Sequence, residues 1–372
     1  MTDQRSVVAV IAATRYGDES VEKAREAIRA VGGMAQVVKP GDTVLIKPNL
    51  VNAFTAESGN VTHASLVEAA ILASDAAGAD TIIVGEGSAS METYGAYVTS
   101  GMKKSVEALK AQGIPVEFRD LNFDRDPATN QYVTVDLGDA GLNTEPRYKV
   151  AHSVLASDVI ISVPKMKTHS EAGITVALKN MIGTAPSGYY GYPKRVKRLP
   201  HGKNIWRTIL DLQRIAVGQY PGSPKTRRYL ALVDGVIAGA YTKSIDIGGP
   251  EWPFVAVWDP VNIGVIVAGR DPVAVDATSA RIMCYNPAKI PTLRHAQDLG
   301  FGMMDDFPVV GEPIKAVQQV VLPPLGRSSM IDARIPSLWP KLLYNEVKLN
   351  IRSIVDVGKL WVYANLQKLS VS

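Results

Sequence analysis

The sequence predicts an α/β protein: a mostly parallel sheet flanked by helices, forming two lobes with a cleft, plus a C-terminal helical tail. Three observations carry this. Val- and Ile-rich runs of strand length alternate with helical patterns, the pattern of βαβ units. The 372-residue length exceeds an ordinary domain and suits one large unit or two lobes. The final stretch, 336–372, places Leu343, Val347, Ile351, Ile354 and Trp361 near helical spacing, with Lys341, Lys348, Arg352 and Lys359 around them.

The elements follow in order. Residues 7–12 read as a strand, and 19–31 as a helix stopped by Gly32-Gly33. Pro40-Gly41-Asp42 is a turn into a strand at 43–47. A helix at 64–77 closes on Gly78, a strand follows at 81–84, and 91–112 holds a long helix stopped by Gly113. Further strands are expected at 116–118, 159–163, 229–233 and 263–268. The stretch 123–146 is rich in Asp, Asn, Gly and Pro and breaks the rhythm as a loop or small hairpin insertion. Residues 173–182 suit a helix. Asp271-Pro272 reads as an N-cap with proline at the first helical position, and Asp276 falls in the early turns of that helix. The division expected is an N-terminal lobe at 1–150, a second at 151–325, and the tail from 326.

Composition excludes several classes. With 46% apolar and 20% charged residues the chain is neither disordered nor a coiled coil. The single cysteine, Cys284, excludes a disulfide framework, a Cys-rich zinc site and a self-contained iron–sulfur cluster; it reads as a core residue. The cofactor stays open, a bound metal included, because no recognised ligand motif selects one. No apolar stretch reaches the ~20 residues of a membrane helix, and a cytoplasmic, reducing setting is the expectation.

Ligands of open α/β sheets bind beyond the carboxyl ends of the strands. The residues there are Lys47-Pro48-Asn49, then Gly85-Glu86-Gly87-Ser88, then Pro164-Lys165-Met166-Lys167-Thr168-His169, then Asp234-Gly235. Lysines, a histidine and carboxylates thus gather at one expected edge. In an extended segment Lys165, Lys167 and His169 share a face, where two ammonium groups beside an imidazole suit a carboxylate or phosphate. Crowded cations would lower a lysine pKa toward that of a general base. An ordinary solvated loop explains the same residues. Lys179-Asn180 follows in an apolar run. Gly85 and Gly87 fit two positions of a dinucleotide fingerprint, but Ser90 stands at the third, and a tight strand–helix turn accounts for them equally. His63 before its helix reads as either a cap or a site residue.

These blocks resemble the domain of unknown function 362 family. They are Lys47-Pro48-Asn49-Leu50, Val84-Gly85-Glu86-Gly87 and Ser162-Val163-Pro164-Lys165-Met166-Lys167-Thr168-His169. They continue with Ala177-Leu178-Lys179-Asn180-Met181-Ile182-Gly183, Val233-Asp234-Gly235-Val236 and Asp271-Pro272-Val273-Ala274-Val275-Asp276. The resemblance implies that Lys47, Lys165, Lys167, His169, Lys179 and Asn180 belong to one site, with His201 placed where the family commonly has a histidine. Many members carry an iron–sulfur module, and the single cysteine leads us to expect it absent here. The order of blocks is more distantly similar to the lactate racemase family, which implies a two-lobed cleft and proton-transfer chemistry.

The reading that follows is an enzyme for a small anionic substrate. Lys165, Lys167, His169 and Lys179 are the candidate catalytic residues. Lys47, Asn49, Glu86, Asn180, His201 and Asp234 are the candidate ligand-binding residues. Two alternatives remain: nucleic-acid or anion binding through 189–228, whose tyrosines and Trp206 accompany its cations, and membrane or homo-oligomer contact through 336–372. The net charge of +4 conceals that basic segment. Residues 189–228 hold ten Lys/Arg (Lys194 among them) and one acid, Asp211, a balance of +9 that leaves −5 for the rest. The segment is expected to cover the site and attract an acidic ligand.

Overall fold

The computed structural model describes residues 6–89, 93–191, 194, 199–200, 204–246, 254–321 and 330. The strands are β1 (Val8–Ala12), β2 (Thr43–Pro48), β3 (Thr81–Glu86), β4 (Val116–Asp120), β5 (Val133–Asp136), β6 (Arg147–Val150), β7 (Val159–Val163), β8 (Lys165–His169), β9 (Gly173–Thr175), β10 (Arg228–Asp246), β11 (Phe254–Gly269) and β12 (Val309–Gly311). The α-helices are α1 (Asp18–Ala30), α2 (Ala64–Ala76), α3 (Thr93–Thr99), α4 (Met102–Ala111), α5 (His152–Ala156), α6 (Ala177–Asn180), α7 (Ser187–Tyr190), α8 (Ile205–Val217), α9 (Pro272–Ile282), α10 (Pro291–Asp298) and α11 (Ile314–Val317). The tail 336–372 and His201 lie outside the described residues.

Ten strands form one large, mostly parallel sheet in the order β12-β1-β11-β10-β7-β2-β3-β4, with β8 and β9 attached beside β10. Neighbours β10, β7, β2, β3 and β4 run parallel, whereas β11 is antiparallel to both β10 and β1. Strand β7 lies between β2 and β10, so strands from both sides of residue 150 share this sheet. The 123–146 stretch contributes β5, which pairs antiparallel with β6 just beyond it.

Alternation along each strand sorts side chains to two cores. Val44 and Ile46 of β2, and Val159 and Ile161 of β7, pack on one face with Ala24 and Ile28 of α1 and Leu66 and Val67 of α2. Leu45 and Ile160 point to the other face, with Leu178 of α6, Ile209 and Leu212 of α8, and Val273 of α9. By the same parity Lys47 and Ser162 face α6, and this places them at the candidate site.

Four local expectations change. The long helix of 91–112 is two described helices, α3 and α4, separated where Gly101 adopts φ 74°. Residues 173–182 begin with β9 and turn helical only at Ala177. Strands β10 and β11 extend far beyond the short runs at 229–233 and 263–268, forming a long antiparallel hairpin with register shifts between Gly235 and Ile237 and between Tyr241 and Lys243. Asp259 and Pro260 disguised it, since both residue types are rare inside strands. The Trp258 indole nevertheless fixes β11 to β8 by donating to the Thr168 carbonyl at 2.7 Å. Cys284 is buried as expected, but just beyond α9.

The loop after β2 passes so close to β10 that only glycine fits at 59. There φ is 75°, and a Cβ would lie 2.6 Å from the Ala238 carbonyl oxygen. Gly59→Ala should therefore lower stability by about 2 kcal/mol in urea unfolding; wild-type stability would show that the loop can move aside.

Candidate functional site

The carboxyl ends of β2, β3 and β7 lie side by side, Asp234 stands beside them within the longer β10 and not at its end, and lysines dominate there. Lys47, Lys165, Lys167 and Lys194 are buried and Lys179 is half-buried. Two buried carboxylates, Glu86 and Asp234, oppose these five cations.

Pro48 keeps Lys47 extended at the end of β2, and its ammonium donates to Glu86 Oε1 at 2.7 Å. Glu86 Oε2 accepts the Leu50 amide at 2.7 Å, so one carboxylate fixes both the lysine and the loop after it. Asn180 completes the unit: its amide donates to the Lys47 carbonyl and to Ser162 Oγ, each at 2.9 Å. Its Oδ1 accepts from Lys47 at 3.3 Å and from Asn49 at 3.5 Å. Gly183 caps the pair; a Cβ there would lie 2.4 Å from Lys47 Nζ.

A second buried pair lies on β8. Lys165 donates to Asp234 Oδ2 at 3.0 Å and to the Tyr16 hydroxyl at 2.7 Å. Tyr16 donates onward to Asp234 Oδ1 at 2.9 Å and stacks on His63 with ring centroids 4.0 Å apart. His63 both caps α2, through Nδ1 accepting from the Ser65 amide, and donates its own amide to Asp234. Burial and the Asp234 charge raise the Tyr16 pKa, so Tyr16 stays a protonated donor.

Lys167 differs from both. Its ammonium donates to the Asn60 carbonyl at 2.7 Å and lies 4.1 Å from the Trp258 ring centroid, and among the described residues no carboxylate is in ion-pair contact with it. Burial pushes its pKa well below the usual lysine value, and the Lys179 and Lys165 charges push it further. Desolvation therefore outweighs the crowding of cations that the sequence implied. The pKa of Lys179 falls to about 8, again mainly by desolvation. Nearby, Asn49 Oδ1, Asn60 Oδ1 and Thr175 Oγ1 are buried without a hydrogen-bond partner.

His169 ends β8 half-buried, and its Nδ1 accepts the Glu171 and Ala172 amides at 3.1 and 3.2 Å. That engagement assigns the ring proton to Nε2. Lys194, read in the sequence only as part of the basic segment, is itself in the cluster. It donates to the carbonyls of Gly87 at 2.8 Å and Gly183 at 3.2 Å, and burial lowers its pKa to about 7. Tyr16 and Lys194 are the residues sequence reasoning missed. Tyr16 follows β1, whose carboxyl end shares this edge, so the strand-end rule applied to β1 would have found it.

The other described cations of 189–228 serve the chain itself. Lys225 pairs with Asp158 and Arg228 with Asp42, each at 2.7 Å; Arg227 and Arg214 donate to backbone carbonyls, and Arg207 lies over Trp206. Gly85 and Gly87 serve close packing: Cβ atoms there would collide with Leu45 and with the Gly183 carbonyl. Asp276 does not serve its own helix. Its carboxylate leaves α9 and accepts the Ala177 and Leu178 amides at 2.7 and 3.2 Å, the start of α6. Among the described residues there is no His/Cys/Asp/Glu cluster that could hold a metal ion. None of their helices is long and apolar enough to cross a membrane.

Residues 44–281 match the family described as a domain of unknown function, DUF362, and the chain belongs to that family. A thylakoid-associated protein of Synechocystis sp. is 27% identical over 278 residues, covering 74% of each chain. Among solved structures, the lactate racemase apoprotein of Thermoanaerobacterium thermosaccharolyticum matches with a TM-score of 0.41 at 12% identity. That match covers 76% of this chain and 58% of the racemase chain.

The buried amines make stability depend on pH. Folding lowers the Lys194 pKa to about 7, so between there and the ordinary lysine value near 10.5 the unfolded chain binds more protons. Stability should therefore rise as pH increases through that window. Unfolding measured from pH 7 to 10 should show a positive slope that Lys194→Met reduces; equal slopes in both proteins would mean that Lys194 keeps an ordinary pKa.

Proposed function

We propose that the chain is an enzyme acting on a small anion, a carboxylate or a phosphate, and that buried lysines bind this anion and exchange a proton with it. The observation that carries the reading is the imbalance of the cluster: among the described residues its five lysines face two buried carboxylates, both already committed, with Glu171 and Asp120 acting on Lys179 and Lys194 from less buried positions. Burying a cation without a partner is costly. An anionic ligand supplies the missing charge.

The cluster then divides by role. Lys47 with Glu86 and Lys165 with Asp234 are internally neutralised and form the frame. Lys167, Lys179 and Lys194 face the anion. Amines with pKa values of about 8 and 7 change protonation near neutral pH, as a general base or acid requires. His169 contributes through Nε2, because Nδ1 holds the turn after β8. A cytoplasmic setting belongs to the same proposal; a chain with one cysteine, which can form no disulfide within itself, accords with a reducing compartment.

Two outcomes test the reading. Lys167→Met replaces a desolvated cation by an apolar chain of similar length. It should raise stability by about 1–2 kcal/mol while abolishing anion binding and turnover. A variant that binds anions as the wild type does would remove Lys167 from the site. Separately, the anion should bind the protonated amines, so its affinity should strengthen as pH falls from 9 to 6. Calorimetry with inorganic phosphate and malonate in buffers of different ionisation enthalpy should register proton uptake on binding. Affinity independent of pH for both probes would defeat the assignment of Lys179 and Lys194 as the anion's partners.

A further inference from the structure

We propose that Lys179 is the nucleophile of the lysine cluster and that its amine forms an imine with the carbonyl carbon of an anionic aldehyde or ketone. The inference rests on the anion reading above. It narrows the substrate to a carbonyl compound that bears a carboxylate or a phosphate.

A lysine attacks a carbonyl through its lone pair, so the amine must lose its proton readily and must be reachable. Four of the five lysines fail one of these conditions. Lys47 and Lys165 are ion-paired with Glu86 and Asp234, which favour the charged form. Lys167 engages the Asn60 carbonyl and the Trp258 ring, and Lys194 engages three backbone carbonyls. Burial lowers the pKa of both even so. At 1% and 2% exposure, however, neither leaves room for a carbonyl carbon to approach.

Lys179 differs on each count. It is half-buried, and among the described residues its ammonium has no hydrogen bond, ion pair or aromatic ring to hold the proton. Desolvation, with Lys47 as a neighbouring cation, outweighs the pull of Glu171 and brings its pKa to about 8. The backbone on both sides of it is tied down. Asp276 accepts the Ala177 and Leu178 amides, and Asn180 is bound to the Lys47 carbonyl and to Ser162. A nucleophile carried on α6 is thereby held in place for attack. Lys167 and Lys194 both feel the Lys179 charge. Electrostatic attraction acts over several ångströms, whereas a covalent bond needs contact. The sealed lysines can therefore draw in the charged end of a substrate whose carbonyl meets Lys179.

The step balances without a co-reactant. The Nζ lone pair forms the bond to the carbonyl carbon. Both hydrogens of the neutral amine leave with the carbonyl oxygen as water, and the imine takes up one proton to become an iminium. That cation draws electrons from the adjacent carbon and acidifies its C–H bond. The proton exchange assigned to this cluster then has a substrate proton to act on.

The test incubates the full chain at pH 8 with pyruvate, with dihydroxyacetone phosphate and with uncharged acetone, each with cyanoborohydride, which reduces an iminium to a stable secondary amine. Peptide mass mapping locates the product. One of the two anions should modify Lys179 in preference to the exposed Lys110, and at least about tenfold faster than acetone does. The faster anion identifies a carboxylate or a phosphate substrate. Lys179→Arg, which keeps the charge, should lose the adduct. The mapping itself is made on the wild type, so the result does not depend on how that variant folds. The proposal is overturned if neither anion modifies Lys179 above Lys110, or if the adduct forms on another lysine of the cluster. Modification by acetone at an equal rate would overturn the anionic class. Calorimetry with inorganic phosphate and malonate reports the anion site separately: binding without an adduct removes the imine and leaves the anion reading standing.

Discussion

The buried ion pair between Lys47 and Glu86 is the constraint around which the sheet edge is organised. Neither partner can be removed alone, because the survivor would be an uncompensated charge in a low-dielectric interior. The pair also reaches past itself. Glu86 orders the loop after β2 through the Leu50 amide, and Asn180 binds the backbone of Lys47 while holding Ser162 of β7. Three neighbouring strands and α6 are thereby fixed in one register at the point where their polar ends meet. Gly183 lies against the pair with no room for a side chain, which seals it from one side.

Once that frame is set, the remaining lysines are left in an environment that disfavours their charge. The Lys165–Asp234 pair resembles Lys47–Glu86 in being matched. Lys167 is not matched by a carboxylate among the described residues, and its carbonyl and indole contacts only partly replace the water it has lost. A fold selected for stability alone would place methionine or leucine at such a position. On the proposed reading, binding of an anion would release stored electrostatic strain of this kind. That argument, more than any single lysine, favours reading the cluster as a site over a structural network.

The sequence made the strand ends legible for a physical reason. Lys47-Pro48-Asn49 and Lys165 to His169 follow strongly β-forming runs, so their placement at the sheet edge needed only strand polarity. What the sequence could not show was which cations find partners. Lys194 sits among exposed-type residues in a basic run, yet three backbone carbonyls draw it inside. Arg228 and Lys225, from the same run, are spent on Asp42 and Asp158 more than sixty residues away in sequence. The long β10–β11 hairpin was hidden because its outer half depends on tertiary anchors such as Trp258 and not on local propensity. Register shifts between Gly235 and Ile237 also break the alternation that sequence patterns rely on.

Asp276 shows how the parts of the chain depend on one another. Its position after Asp271-Pro272 invites a local account, a carboxylate complementing the dipole of its own helix. The structure sends that carboxylate across to the amides of Ala177 and Leu178 instead. Those amides open α6, whose next residues are Lys179 and Asn180. Burial raises the Asp276 pKa to about 8, while the two amides pull it down toward the ionised form. The group is therefore balanced between a neutral state that weakens its hold on α6 and a charged state that strengthens it. Asn180 is the hinge of the Lys47 frame, so any looseness at α6 reaches the ion pair directly. The family match extends to residue 281, beyond the last lysine of the cluster. This contact gives the Asp271–Asp276 block a physical task at the site: it anchors the short helix on which the lysine cluster closes.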